Sequence, residues 1–332
     1  LQGASHDKIV VITRKTPLEE LVERFGTTDQ ARFYIESMGL SFEDYEEADT
    51  TYRDSVSLLR WSIPRKVRTQ WIDRSFLPAF MFGRNDLVVT LGQDGLVVNT
   101  AKYLSDQPVL AFNPDPARFD GILLPFRLAE AASVIPDAVM GSLPVSHVTM
   151  ARATLNDGQE LLAVNDLFIG HASHGSARYL LEFDDRAEEQ SSSGIIVSTG
   201  AGSTGWYSST VNGANGIVRY NLAENFGSDT ATALSERLGG PLRLDWETKG
   251  LLFTVREPFV SQRSFATIVH GRISPDQRFR ITSRMPQSGV IFSDGVENDY
   301  LAFNSGSVAE IGLAPRQLKL YMPHTYQKQA IR

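Results

Sequence analysis

Three stretches of the chain carry residue types at spacings suited to holding a phosphate or a dinucleotide. The first is Leu91-Gly92-Gln93-Asp94-Gly95, set between LVVT and LVVNT. Local pattern leaves two readings open. Asp-Gly between alternating apolar segments is a strong hairpin signal. In the other reading a buried strand ends in a glycine-rich bend and a helix begins near Leu96, so that backbone N–H groups and a helix N-terminus face an anion. An aspartate in such a loop repels phosphate, which suits a base or a magnesium partner better than a plain anion binder. The second stretch is Asn165-Asp166, flanked by LLAV and LFI. A turn accounts for such a pair. So does a strand in which both polar side chains need partners. The third, Gly200-Ala201-Gly202-Ser203-Thr204-Gly205, follows strand-like residues 194–198 and matches G-x-G-x-x-G. An apparent strand at Ile217–Tyr220 and the acid Glu224 sit near the spacing of a dinucleotide fold. Against that reading, the surroundings look antiparallel, and a helix from Trp206 would run through Ser208, Ser209, Thr210 and Asn212, all poor helix formers.

Other polar residues point to less. No G-x-x-x-x-G-K-[ST] loop is present. His171 and His174 lie in HASHG without further ligands at zinc spacing. Ser203 lacks the G-x-S-x-G elbow of a nucleophile. Trp206-Tyr207 suits a stacking platform for a base, or simply core.

The elements that must position these residues change character along the chain. KIVVIT (8–13), DLVVTL (86–91) and PVLAF (108–112) read as buried strands, with a helical period over 17–37 and a weaker pattern over 55–61. That spacing predicts an α/β layer with a parallel sheet. After residue 142 come short segments rich in β-branched and aromatic residues: VSHVTMARATL, ELLAVNDLFI, ARYLLEF, GIIVST, GLLFTV, FATIVHG, RFRITS, GVIFSD and SVAEIGL. They predict an antiparallel, β-rich second domain. A helix is expected over ATALSERL, residues 231–238.

Composition bounds the partners. The 332 residues imply roughly two domains, with 42% hydrophobic residues, no cysteine and a net charge of −7. That balance argues against nucleic acid or an anionic membrane as main partner. The absence of cysteine excludes disulfides and thiolate metal sites. No apolar run approaches the roughly 18 residues of a membrane span, and LQGASHDK lacks the apolar stretch of a signal peptide. A soluble, cytoplasmic protein is expected.

In this order the motifs resemble the NAD kinase family, most closely its mitochondrial-type branch. Gly92-Gln93-Asp94-Gly95 is similar to the family's Gly-Gly-Asp-Gly, Asn165-Asp166 to its Asn-Glu pair, and SSGIIVSTGAGSTGWYSS (192–209) to its NAD loop. PVLAFNPDP (108–116) and FTVREP (253–258) look like the mitochondrial-type branch, and SDGVENDYLAFNSGSVAEI (293–311) like the family's late Asp-Gly region. The resemblance spans residues 85–312 and favours the loop over the hairpin at Asp94-Gly95.

The resemblance implies an α+β two-domain protein. It would have an N-terminal parallel-sheet, Rossmann-like α/β domain (1–142), a C-terminal antiparallel β-rich domain (143–312), a tail (313–332) returning to the first, and an active site between the two. It implies transfer of a phosphoryl from ATP or polyphosphate to the adenosine ribose 2′-hydroxyl of NAD, giving NADP. Asp94 would be the base and help place Mg2+, with no other metal ligand assigned. Gly92, Gln93 and Gly95 would shape the phosphate loop, and Asn165, Asp166, Ser203, Thr204, Gly205, Trp206 and Ser209 would line the NAD pocket. A homodimer is implied as well. The chain departs from the family at Gln93 for glycine, Leu96 for threonine, Asp166 for glutamate and Trp206 for tyrosine. Ser193 stands where much of the family has an acid, as in the mitochondrial-type branch. A positive φ at Gln93 would cost roughly 1 kcal/mol or more. Gln93 and Leu96 motivate an alternative, a non-catalytic dinucleotide sensor. A lipid kinase of the same superfamily is another, disfavoured by the acidic balance.

Overall fold

Strands that are apolar on both faces belong in the middle of a covered parallel sheet. Residues 9–12, 87–89 and 110–112 are such runs, each fully buried. In the structure, a computed structural model that describes residues 6–229, 232–234 and 239–325, they form β1 (Lys8–Thr13), β3 (Asp86–Leu91) and β4 (Val109–Asn113). The chain divides into two units, one reaching to Ser146 and regaining the chain from Leu318, the other running from His147 to Gln317.

In the first unit β1 pairs in parallel with β2 (Arg68–Asp73) on one side and with β3 on the other. Beyond β3 come β4 and, beside it, the two-residue β5 (Phe126–Arg127). The helical period over 17–37 resolves into two helices, α1 (Pro17–Phe25) and α2 (Thr28–Ser37). The cause is local. Thr16 and Glu19 make a reciprocal capping box at the start of α1, and Gly26 ends it at φ 89°. Thr27 then caps α2 by accepting from the Gln30 N–H. Residues 55–61 fall inside α3 (Glu43–Ser62), whose Tyr52, Ser55 and Leu59 are buried. The helices α4 (Asp94–Ala101) and α5 (Ala131–Val139) complete the unit. Its core joins Ile9 and Val11 of β1, Leu87 and Val89 of β3, Phe112 of β4 and Ile135 of α5.

The second unit is built on antiparallel pairings; residues 177–183 and 279–283 alternate between buried and more open positions, whereas 166–170, 195–198 and 251–255 are buried throughout. One sheet contains β6 (Val145–Leu155), β7 (Glu160–Ala163), β9 (Ala177–Phe183), β10 (Arg186–Ser192), β14 (Phe279–Ser283) and β17 (Val308–Tyr321). The other runs β13 (His270–Ile273), β12 (Leu251–Val255), β11 (Ile195–Ser198), β8 (Asp166–His171), β15 (Gly289–Ser293), β16 (Val296–Ala302). Their inner faces share one core, including Tyr179, Ile281, Val197, Phe253 and Ile291. The last residues of β17 belong to the first unit, where Leu320 pairs with Val109 of β4.

Two sequence expectations fail around Trp206. A continuous helix, α6 (Trp206–Phe226), occupies the segment judged unfit for one, and it includes the Ile217–Tyr220 stretch read as a strand. The Ser209 and Thr210 hydroxyls and the Asn221 and Asn225 amides donate to the carbonyls four residues earlier, so these polar side chains are satisfied inside the helix. The helix expected over ATALSERL lies outside the described residues except at 232–234.

Candidate functional site

A parallel sheet presents its ligand crevice at the carboxyl ends of its strands, where the chain order reverses. In the first unit the chain passes from β1 outward to β2, then returns to the other side of β1 as β3 and continues outward to β4. The reversal lies between β1 and β3. Arg14 follows β1 directly, and Gly92 and Gln93 follow β3. The Nη1 of Arg14 donates to the Gln93 side-chain carbonyl at 3.2 Å. Beneath them the buried Tyr52 hydroxyl accepts from the Arg14 N–H and donates to the Leu91 carbonyl, both at 3.0 Å, tying the two strand ends together. Burial pushes that phenol up to about 12, so it stays a donor.

The loop after β3 is a bend into a helix, so the hairpin reading at Asp94-Gly95 is lost. Gln93 occupies the N-cap of α4 at φ −85°, ψ 169°, a conformation that costs its side chain no strain. Gly92 is buried, and a Cβ there would stand 2.8 Å from the tip of Leu96. Leu96, at the position of the family threonine, is thus a packed core residue, 3% exposed. Gly95 is exposed with open space around it. Asp94 opens α4, and its Oδ1 accepts from the Leu123 N–H at 2.6 Å. Its Oδ2 makes no hydrogen bond among the described residues.

Two cavities adjoin this edge and share Arg14 and Tyr52. One, of about 230 Å³, includes Gln93, Pro114 and Arg118 in its lining. The other, of about 430 Å³, is walled by β1, α3 and β2 residues including Arg60 and Trp71. Burial lowers the Arg14 pKa from the usual arginine value, and its Nε is buried without a partner. Sequence reasoning missed Arg14. The available signal was a basic pair, Arg14-Lys15, at the first turn after a buried parallel strand.

The second unit gathers the other predicted residues around one bend. Asn165 lies between β7 and β8, and Asp166 is the first residue of β8. The pair therefore straddles a strand entrance, with Asn165 before the strand and Asp166 its first residue. The carboxylate of Asp294 accepts from three successive backbone N–H groups, those of Val164 at 3.2 Å, Asn165 at 2.7 Å and Asp166 at 3.3 Å. Asp294 and Gly295 both have positive φ and form the two-residue turn from β15 to β16. Asp294 is the second residue that sequence reasoning left unassigned, and its Asp-Gly hairpin signal was present. Asp166 is buried at 9% exposure. Burial first, and the neighbouring Asp294 charge second, push its carboxyl up to about 7. Neither the Asn165 nor the Asp166 side chain makes a hydrogen bond among the described residues.

The glycine-rich loop packs against this bend. The Thr199 N–H donates to the Asn165 carbonyl at 2.9 Å. A Cβ on Gly202 would come within 2.1 Å of that same oxygen, and one on Gly200 within 2.1 Å of the Asp245 carbonyl. The glycines thus serve close backbone packing. The G-x-G-x-x-G match is not a dinucleotide fold, because β11 pairs antiparallel with both β12 and β8. Ser203 is fully buried, donating to the Gly200 carbonyl and accepting from the Leu244 N–H. Thr204, Gly205 and Ser209 are exposed. Trp206 is half-buried, stacked on Phe168 at 5.5 Å with the Arg256 guanidinium 5.3 Å from its ring. Tyr207 is buried and stacks on His270. His171 accepts from the Ser173 N–H at 3.1 Å. No cluster of three or more His, Cys, Asp or Glu suited to a metal occurs among the described residues.

No protein-family model matches the chain. It is 29% identical over 141 residues to the NAD kinase of Geotalea daltonii, covering 39% of this chain and 46% of that protein. Over 126 residues it is 29% identical to the NAD kinase of Prosthecochloris aestuarii, covering 36% and 43%. The matched region spans less than half the length of these two relatives. Among solved structures, yeast NADH kinase complexed with NADH superposes at a TM-score of 0.56 with 17% identity, over 96% of this chain and 84% of that one. An NAD kinase from Archaeoglobus fulgidus in complex with ATP superposes at 0.55 with 14% identity, over 95% and 94%. The fold is that of the NAD kinases.

Proposed function

We propose that this chain, related to the NAD kinases in sequence and built on their fold, is itself a phosphotransferase that moves the terminal phosphoryl of ATP or polyphosphate to the adenosine ribose 2′-hydroxyl of NAD. The observation that carries the proposal is Asp94. One of its carboxylate oxygens is fixed by the Leu123 N–H and the other is uncommitted, and the residue before it, Gln93, holds a half-buried arginine at the strand ends. Such a carboxylate is oriented yet free to accept a proton. As the 2′-oxygen forms its bond to phosphorus, its proton passes to Asp94 Oδ2 and the phosphoanhydride electrons leave with the shortened donor. Little more than positioning and charge stabilisation is asked of the remaining residues.

Magnesium belongs to the proposal. A single carboxylate suits an ion that is held mostly by substrate phosphates and water, and Asp94 is the residue that would touch it. When bound, the ion would offset phosphate charge. Asn165, Asp166, Thr204 and Trp206 are proposed to face NAD, with Gly205 and Ser209 beside them. Ser203 supports the loop from beneath. Membership of the mitochondrial-type branch rests on PVLAFNPDP and FTVREP; homodimerisation and a cytoplasmic setting come with the resemblance and stand as parts of the same proposal. No helix of the described residues is long and apolar enough to cross a membrane.

The test is NADP formation by the purified protein supplied with NAD, magnesium and either ATP or polyphosphate. NAD binding without any NADP would leave the sensor reading in place of this one. The pocket has its own test. Asn165→Ala and Thr204→Ala should each weaken NAD binding by about 1–3 kcal/mol, the consequence of stranding a ligand polar group. Because the Asn165 side chain bonds to nothing else described, its removal should leave thermal stability nearly unchanged. Calorimetric titration with both variants at wild-type affinity would put the dinucleotide elsewhere.

A further inference from the structure

Most cations lining the two cavities described above are already matched with acids. Lys15 pairs with Glu23, Arg53 with Glu19 and Asp49, and Arg118 with Asp115 and Glu47. The acids of the larger cavity are likewise engaged: Glu19 also accepts from the Thr16 N–H, and Asp73 caps Ser75. Two cations remain with no ion pair among the described residues. Arg14 belongs to both cavities, and among the described residues its only side-chain hydrogen bond goes to Gln93. Arg60 lines the larger cavity and lies over the Trp71 ring at 4.4 Å. A half-buried guanidinium with an unpartnered Nε is costly unless an anion completes it. Guanidinium forks match phosphate oxygens in pairs.

We propose that Arg14 and Arg60 form an oligophosphate subsite for the phosphoryl donor, with Gln93 as the positioning residue that aims Arg14. The subsite rests on the phosphotransferase reading and adds to it the residues that take the donor's chain. Gln93 then has a reason to replace glycine. Its carbonyl holds one Nη of Arg14 and leaves the other Nη for the ligand. A glutamate there would neutralise the arginine, and a glycine would release it.

Inorganic tripolyphosphate with magnesium is the probe, titrated calorimetrically into the full chain, with NAD titrated separately as a control. Wild-type protein should bind tripolyphosphate. Arg14→Ala should weaken that binding by about 10–100-fold, the range for a lost hydrogen bond to a charged group. Arg60→Ala should weaken it by about 3–10-fold, and Arg14→Lys should fall between wild type and Arg14→Ala. In turnover, Gln93→Leu should raise the donor KM about 3–10-fold with kcat changed less than about 2-fold, a split that general loosening of the fold would not produce. Arg60→Ala compared with ATP and with long-chain polyphosphate distinguishes the donors. Equal effects assign the cavity to a triphosphate, and an effect confined to polyphosphate assigns it to a longer chain. Unchanged tripolyphosphate affinity in a folded Arg14→Ala protein that still binds NAD overturns the subsite, whatever the activity. If tripolyphosphate binding depends on Arg14 but no NADP is ever formed, the subsite stands and the kinase reading falls.

Discussion

Asp94→Asn lowers kcat by about 10²–10⁴-fold, the usual contribution of a positioned general base. The substitution isolates that role well. Asparagine keeps an oxygen able to accept from the Leu123 N–H, which Asp94 now does at 2.6 Å, so the start of α4 should hold its shape. What disappears is the proton acceptor and its charge. Affinity for NAD should stay within about 3-fold, because the residues proposed to hold it lie in another unit of the chain. Steady-state kinetics with calorimetric NAD titration makes the comparison. Turnover near the wild-type rate would remove Asp94 from the chemistry.

The second large effect is on stability. Asp166 titrates near 7 in the folded chain against an ordinary aspartate value of 3.8. Between these values the folded state holds a proton that the unfolded state has released. Stability therefore falls as pH rises from about 4 to about 7, and above 7 the whole penalty is present. A shift of that size corresponds to something on the order of 4 kcal/mol. Asp166→Asn has no proton to lose. It should be more stable than wild type at pH 8 by a few kcal/mol, with the two converging near pH 4. Denaturant unfolding at pH 4, 6 and 8 reads the difference, from which other titrating groups cancel. Parallel pH profiles for the two proteins would mean that Asp166 is ionised at little cost.

Sequence patterns were informative where one local cause decides the structure, and silent where the cause is a distant partner. Buried parallel strands such as residues 87–89 are legible because both faces must be apolar. Asp-Gly was ambiguous for a physical reason. Asp94-Gly95 and Asp294-Gly295 carry the same turn chemistry, yet only the second has positive φ at both residues and joins two strands. At Asp94 the packing of Leu96 beneath Gly92 favours a helix instead. The G-x-G-x-x-G match misled because glycine serves any close backbone approach, here toward the Asn165 and Asp245 carbonyls. Composition against a helix at Trp206 was outweighed by side chains bonding back to carbonyls within the helix. Arg14 could not be singled out from spacing alone, since its meaning depends on Gln93, 79 positions away.

The return of β17 sets the order in which this chain can be finished. Leu318, Leu320, Tyr321 and Met322 are all buried, and Leu320 lies against Val109 of β4. The residues that close the first unit therefore leave the ribosome only after the whole second unit. At about 5–20 residues per second, residues 147–317 alone take roughly 10–30 s to synthesise. Through that interval the β4 edge is covered only where β5 meets Phe112 and Asn113, and an open apolar edge invites pairing with another chain. The nascent chain thus carries this open edge throughout synthesis of the second unit, and pairing of β17 with β4 is the event that ends that exposure.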